Sequence, residues 1–227
     1  MPSITVITIC FNNPEELITT CTSVDLQEHA PYEHWVIDGS TDGMIKEWLE
    51  GNTQPTYRKW VCERDNGIAD AFNKGVSRAT GELVVMLNSA DTFDNPTVLA
   101  SVSAAFNSDP SLQWLHGKFT LLRGGLWVSI GKPFEKSKLY RGMRSVNHQT
   151  MYIRKALYDK YGPYNTSLKI AMDYDYLCRI GGDKNTFIKL PLARFAPDGI
   201  SSVHYLKSLA ETKQVYISHF GSDSNIG

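Results

Sequence analysis

Three acids in this chain stand where an apolar run gives way to a turn or where a helix begins. Asp91 follows the run at 83–87 by way of Asn88, Ser89 and Ala90. The carboxyl end of a central apolar strand is where open α/β folds gather their ligand chemistry. Asp38 follows the shorter run at 34–37, and a buried carboxylate in that position is a strong acceptor for an N–H or a ribose hydroxyl. Asp173 opens a helix in Ala171-Met172-Asp173-Tyr174-Asp175; Asp175 has an i,i+4 partner in Arg179, whereas Asp173 has none on its own helix. Each acid also has a plain structural reading, as a turn acid or a helix N-cap. A fourth group, Asp70, Asn73 and Ser77, shares one helix face away from the core stripe Ala69, Phe72, Val76 and Ala79. Alone, such a stripe reads as solvated surface.

The elements that must position these residues alternate regularly. An apolar, β-branched strand at 3–10 stops at Phe11-Asn12-Asn13, and Pro14-Glu15-Glu16 opens a helix reaching about residue 24, with Leu17, Ile18, Cys21 and Val24 inward. A second strand at 34–37 ends on Asp38-Gly39-Ser40-Thr41-Asp42-Gly43, and a helix carrying Ile45, Trp48 and Leu49 follows. A third strand at 57–62 delivers Glu63, Arg64 and Asp65 to the same edge, and Gly67 precedes the helix at 68–79, where it allows close backbone approach to a ligand. The fourth strand, 83–87, leads to Asp91. This alternation predicts a doubly wound α/β sheet with right-handed connections. Beyond it the spacing predicts a helix at 96–106, a hairpin of strands 113–122 and 126–130 turning on Arg123-Gly124-Gly125, and a strand at 150–153. Two short strands, 186–190 and 192–196, are expected on either side of Pro191, and then a closing helix at 204–220.

The 227 residues suffice for one sizeable core, and 23 basic against 24 acidic side chains leave a net charge of −1. That balance argues against a general nucleic-acid binder. Cys10, Cys21, Cys62 and Cys178 lack C-x-x-C spacing and read as free thiols in a reducing compartment. No signal-peptide pattern opens the chain and no apolar run approaches the roughly 20 residues of a membrane span, so a cytoplasmic protein is expected. Residues 221–227 read as a loose tail. One stretch is strongly basic: Lys132, Lys136, Lys138, Arg141 and Arg144 stand against Glu135 alone. Such a run suits a solvated loop, a lid over a departing diphosphate, or contact with an anionic membrane surface.

The string D-x-G-I-x-D-A-x-N-x-G from Asp65 to Gly75, followed by A-x-G and an apolar strand ending L-N-S-x-D, closely resembles the family 2 glycosyltransferases, the inverting group with the GT-A fold. T-V-I-T-x-C-x-N-N and V-I-D-G-S-T-D-G match the family's two opening signatures, and the resemblance covers about nine tenths of the chain. It implies that Ile9 and Asn12 border the base and Asp38 binds base or ribose. Arg64, Asp65, Asn73, Asn88 and Ala90 complete the nucleotide-sugar pocket. The family's D-x-D acids hold a divalent cation, Mn2+ or Mg2+, across the two phosphates; here Ala90 replaces the first acid, leaving Asp91 as the expected ligand. The string R-K-A-L-Y-x-K-Y-G-P-Y, the pair His148-Gln149 and D-Y-D-Y-L-x-R resemble a subset that builds bacterial surface polysaccharides, with His148 and Gln149 beside the acceptor. Asp173 aligns with the second acid of the family's E-D motif, with Met172 in place of the frequent Glu, and is implied as the general base. Asp198-Gly199-Ile200-Ser201 stands in the place of the family's G-G-x-S.

The expectation is therefore one GT-A domain over 1–220, with a Rossmann-like, mostly parallel sheet flanked by helices. Residues 1–94 would hold the nucleotide sugar and 95–220 the acceptor. The expected reaction is inverting transfer from a nucleoside diphosphate sugar, UDP-linked, to a hydroxyl of a saccharide or lipid-linked saccharide, at the inner face of the membrane. Two alternatives stand beside it. A nucleotidyltransferase would want a G-x-G-x-R loop after the first strand, and Cys10-Phe11-Asn12-Asn13 is not one. A non-catalytic nucleotide-sugar binder is suggested by the acid missing at Ala90.

Overall fold

The computed structural model of the chain describes residues 1–143, 146–196 and 205–221. Its first four strands, β1 (Ile4–Cys10), β2 (Glu33–Asp38), β3 (Arg58–Cys62) and β4 (Leu83–Met86), lie in the order β3-β2-β1-β4, all parallel. Helices α1 (Pro14–Asp25), α2 (Met44–Gly51) and α3 (Ile68–Arg78) connect them. The residue types explain the arrangement, since all four residues of β4 are buried, as a strand covered on both faces must be. Alternate positions feed separate cores: Val84 and Met86 join Ile7, Phe72 and Trp114, while Leu83 and Val85 join Val6, Leu99 and Val102. Each such side chain contributes about 1.5–3 kcal/mol when taken from water. α3 lies so close on β1 that a methyl at Gly75 would overlap the Ile7 side chain.

The sheet continues without a break. β5 (Thr92–Phe93) and α4 (Val98–Ser108) are followed by β6 (Trp114–Arg123), β7 (Leu126–Ile130), β8 (Tyr152–Arg154) and α5 (Lys155–Tyr161). Then come α6 (Met172–Ile180), β9 (Asn185–Arg194) and α7 (Tyr205–Phe220). The nine strands form one sheet in the order β3-β2-β1-β4-β8-β6-β9-β5, with β7 on β6. It is parallel in the first half and mixed beyond, because β8 is antiparallel to β4 and to β6. Gly124 and Gly125, at φ 55° and 80°, give the β6–β7 turn the left-handed pair of conformations that matches strand twist.

The two strands expected around Pro191 are one. β9 runs through the proline and pairs with β6 across a bulge, where Lys118 lies opposite Pro191 and the register shifts on both sides of it. A proline that would end a regular strand is tolerated at a bulge because the missing N–H has no ladder partner there. The expected segment 198–201 and the end of the tail, 222–227, lie outside the described residues.

A polar knot locks the first half internally. Arg58, only 5% exposed, donates from Nε to His34 Nδ1 at 3.1 Å and from its terminal nitrogen to Asp25 at 2.6 Å, while His34 Nε2 reaches Thr8 Oγ1 at 2.9 Å. Glu33 accepts from Thr5, Lys59 and both the N–H and hydroxyl of Thr80. Burial works against its charge, yet these donors outweigh it and hold the carboxyl at about 2. The four cysteines are free thiols. No helix among the described residues is long and apolar enough to cross a membrane.

Candidate functional site

The carboxyl ends of β1, β2, β3 and β4 bring one set of predicted residues to a single edge. Asn12 sits just past β1 at φ 52°, donates its N–H to Ser40 Oγ at 2.7 Å and accepts from Thr41 N–H at 2.9 Å. The loops after β1 and β2 are thereby stitched together. Asp38 is 2% exposed and its Oδ1 accepts from Ser40 N–H at 2.9 Å. Burial and the neighbouring Asp38 push the Cys62 thiol up to about 12, so this thiol is no nucleophile near neutral pH. Asp65 lies against the same loop: its Oδ1 accepts from Gly67 N–H at 2.9 Å, and its carboxylate fills the space a side chain at Gly39 would need. One glycine after Asp38 therefore suffices for Asp65 to come in. Arg64 is exposed beside it, and its carbonyl accepts from Lys74 Nζ at 2.7 Å. Ile9, at the end of β1, is half-buried against the core.

Past β4 the chain turns sharply. Ala90 takes φ 75°, a conformation that costs a residue with a Cβ roughly 1–2 kcal/mol. Thr20 of α1 braces the turn by donating to the carbonyl of Asp91 at 2.8 Å. Strain at a loop flanked by polar side chains is the kind of feature that collects at ligand sites.

Three of the expected residues meet across the two halves of the chain. Asn88 Nδ2 lies 3.1 Å from His148 Nε2, and His148 Nδ1 lies 3.2 Å from Asp173 Oδ2. With the Asn88 amide donating to Nε2, the ring carries its proton on Nδ1 and donates it to the carboxylate. The other Asp173 oxygen accepts from Tyr174 N–H at 2.8 Å. Asp173 is thus not partnerless, as its helix alone suggests; the partner comes from a loop 25 residues away. Phe72 of α3 packs beside the His148 ring at 5.9 Å between centroids. A cavity of about 10 Å³ lies behind this pair, room for no more than a water.

Three of the expected residues are engaged in contacts within the protein. Asp91 is 5% exposed; Oδ2 accepts from Gln149 Nε2 at 2.5 Å and Oδ1 from Ala196 N–H at 2.9 Å. Burial pushes its carboxyl above the usual range against those two donors. A carboxylate enclosed and bonded in this way fits a cross-tie between loops and does not fit a cation ligand. No group of three or more His, Cys, Asp or Glu suited to a metal occurs among the described residues. Gln149, in turn, is 1% exposed and faces Asp91, away from any acceptor. Asn73 is also spent internally: its Nδ2 donates to Tyr164 O at 2.9 Å and its Oδ1 accepts from Tyr164 N–H at 2.7 Å. It clamps α3 to the segment before α6 and does not face the nucleotide pocket.

One supporting residue has no signal in the sequence. Glu211 of α7 accepts from the N–H groups of Lys169, Ile170 and Ala171 at 2.8–3.2 Å, just before α6. Burial opposes its charge and the three N–H donors outweigh that, so its carboxyl is held below the usual value. It fixes the turn from which Asp173 projects. Only a helical segment with one acid on its inner face could have hinted at it.

The family described as glycosyl transferase family 2 matches residues 5–161. An uncharacterized glycosyltransferase of Mycobacterium tuberculosis is 36% identical over 182 residues, 78% of this chain and 68% of that protein. The PGL/p-HBAD biosynthesis glycosyltransferase of Mycobacterium bovis is 28% identical over 118 residues, 52% of this chain and 44% of its own length. Among solved structures, S. aureus TarS in complex with UDP-GlcNAc superposes with a TM-score of 0.70 at 18% identity, covering 95% of this chain and 73% of that one. The mannosyltransferase PcManGT from Pyrobaculum calidifontis, in complex with GDP-Man and Mn2+, gives 0.68 at 18% identity, covering 94% and 64%. These structural likenesses are of fold, which is GT-A.

Proposed function

The chain belongs to glycosyl transferase family 2, and on that premise we propose that it transfers a sugar with inversion from a uridine diphosphate sugar to a hydroxyl of a saccharide or lipid-linked saccharide. The observation that carries this reading is the chain Asn88–His148–Asp173, which joins the end of the donor-side strand β4 to the first turn of α6. Inversion needs one general base near the acceptor hydroxyl, on the face opposite the leaving diphosphate. Asp173 has that role here. Each of its oxygens takes one hydrogen bond from the protein, and each keeps a lone pair for the incoming hydroxyl. His148 is a positioning residue that sets the carboxylate's direction, and Asn88 fixes the ring in turn.

Donor binding falls to the stitched loops. Asp38 and Asp65 offer acceptors for base N–H and ribose hydroxyl, Ile9 and Asn12 border the base, and Arg64 offers its guanidinium to a phosphate. Residues 1–94 would serve as the donor half and 95–220 as the acceptor half of one domain, in a reducing compartment that keeps four thiols free. A divalent cation on Asp91 is the part of the expectation that the geometry does not carry. Mg2+ or Mn2+ would draw its ligands chiefly from the diphosphate and water, and would supply charge neutralisation to the leaving group. Ala90, lacking an acid at the turn, favours a second reading in which the chain binds a nucleotide sugar without turning it over.

The decisive experiment titrates the protein with UDP, GDP and dTDP, each with Mn2+ and with EDTA, and measures UDP-sugar turnover for wild type and Asp173→Asn. The expected result is UDP binding with less than about tenfold dependence on Mn2+, and a loss of at least about 10³ in turnover for the variant. Its UDP affinity should stay within about twofold. Binding with no turnover by wild type on any acceptor would transfer the reading to the non-catalytic binder.

A further inference from the structure

We infer that the β6–β7 hairpin is a docking face for an anionic phospholipid bilayer. β7 is an edge strand that pairs only with β6 among the described residues, and four of its five residues are exposed. Edge strands that stay in water carry charges or proline against unwanted contact. This one reads Leu-Trp-Val-Ser-Ile and carries neither. The apolar side chains at its tip are large and well out of the core: Leu126 is 71% exposed, Trp127 50% and Leu122 43%, with Leu190 of β9 at 48%. They occupy both faces of the ribbon, Leu122 and Trp127 opposite one another on one and Leu126 with Val128 on the other.

Charge selects the occupant. No acid occurs from residue 110 to 134 or from 184 to 196, the segments that contain β6, β7 and β9. Lys118, Arg123, Lys132, Lys189 and Arg194 lie in these segments, a balance of +5 in a chain whose net charge is −1; Lys184, at the far end of β9, is already paired with Asp109 at 2.7 Å. Arg194 packs over the Trp127 ring at 4.8 Å, keeping a cation beside the apolar tip. A tryptophan and leucines ringed by unopposed bases match the boundary between acyl chains and anionic headgroups.

The orientation gives the face a purpose. Because β8 is antiparallel to both β4 and β6, β6 runs the same way as β1, β2 and β4, and its hairpin leaves the sheet at the edge where Asn88 and Asp38 stand. A bilayer on the hairpin would lie along the sheet edge where Asn88 stands, two hydrogen bonds from Asp173 through His148. A lipid-linked acceptor would then be delivered to the base already at the surface; this link, though not the docking itself, rests on the transferase reading.

Flotation with vesicles tests it, with no donor or acceptor present, so that a failure here is separate from a failure of transfer. Wild type should float with mixed phosphatidylcholine–phosphatidylglycerol vesicles, bind phosphatidylcholine alone at least about tenfold more weakly, and be released by salt. The charge variant Arg123→Glu/Lys189→Glu and the apolar variant Leu126→Ser/Trp127→Ser should each lose more than about tenfold in partitioning, with melting temperatures near that of wild type. No flotation of wild type, or variants that float equally well, would overturn the inference. So would light scattering that shows a dimer split by Leu126→Ser/Trp127→Ser, which would give the face to a second copy.

Discussion

The strands up to β4 and the elements beyond them are held by different kinds of contact. Up to β4 the polar ties run between neighbouring strands and loops: Arg58 to His34 and Asp25, Asn12 to Ser40 and Thr41, Asp65 to Gly67. A second set reaches across the chain. Asn73 holds Tyr164, 91 residues on; Asp91 holds Gln149 and Ala196; Glu211 holds the turn before α6; and His148 holds Asp173. The strands up to β4 are therefore tied to their neighbours, whereas the elements beyond are held by contacts with distant parts of the chain, α3 and the turn after β4 among them. A substitution in the first should show as stability, and one at a crossing contact should show as stability and turnover together.

Asp91→Ala gives the strongest test of that division. It strands Gln149 and the Ala196 N–H in the interior, and each buried donor left unpaired costs about 1–3 kcal/mol. Thermal melts should show that loss, with turnover falling and UDP affinity within about threefold of wild type in the protein that remains folded. A collapse of UDP affinity together with its Mn2+ dependence would make Asp91 a donor-side ligand and erase the contrast.

Glu33→Gln sharpens it from the other side. Its folded carboxyl at about 2 lies below the ordinary glutamate value of 4.5, so its contribution is fully present above about pH 4.5 and is lost as pH falls through about 2. The variant should be less stable than wild type by about 2–3 kcal/mol at pH 7, and the gap should narrow steadily below pH 4.5. Turnover per folded molecule should not change. A gap that stays constant down to pH 2 would mean that the Thr80 and Lys59 contacts do not hold the charge.

The smallest effect is expected at the turn between the halves. Ala90→Gly removes a left-handed cost of about 1–2 kcal/mol at the expense of about 0.5–1 kcal/mol of chain entropy. A net gain of about 0.5 kcal/mol in denaturant melts is expected, with UDP affinity unchanged. A loss of stability would show that the methyl makes contacts worth more than the strain.

The same contrast explains what the amino-acid order reveals. The first half is legible because each strand is an apolar run covered on both faces and each ends on polar residues, so position along the run gives position in the fold. Asp38, Asp65 and Asn88 stand at strand ends for that reason. The residues that make the long crossing contacts follow no such period. Asn73 looks like a free polar face on α3, and nothing near it in sequence announces the Tyr164 backbone. Gln149 and His148 are adjacent, yet one is buried on Asp91 and the other faces Asp173, a difference set by the 3-10 turn His148–Thr150. Pro191 reads as a strand break because the bulge opposite it belongs to β6, over 70 residues earlier.

The carboxylate that α7 lends to the turn before α6 bears on any shortened form of the protein. A chain cut after β9 would keep every strand of the sheet and the loops after β1, β2 and β3, and would lose Val215 from the core. It would also leave the Lys169, Ile170 and Ala171 N–H groups without their acceptor and the base without a fixed direction. On the proposed reading, trimming for expression or a protease nick ahead of α7 would cost turnover while sparing nucleotide binding.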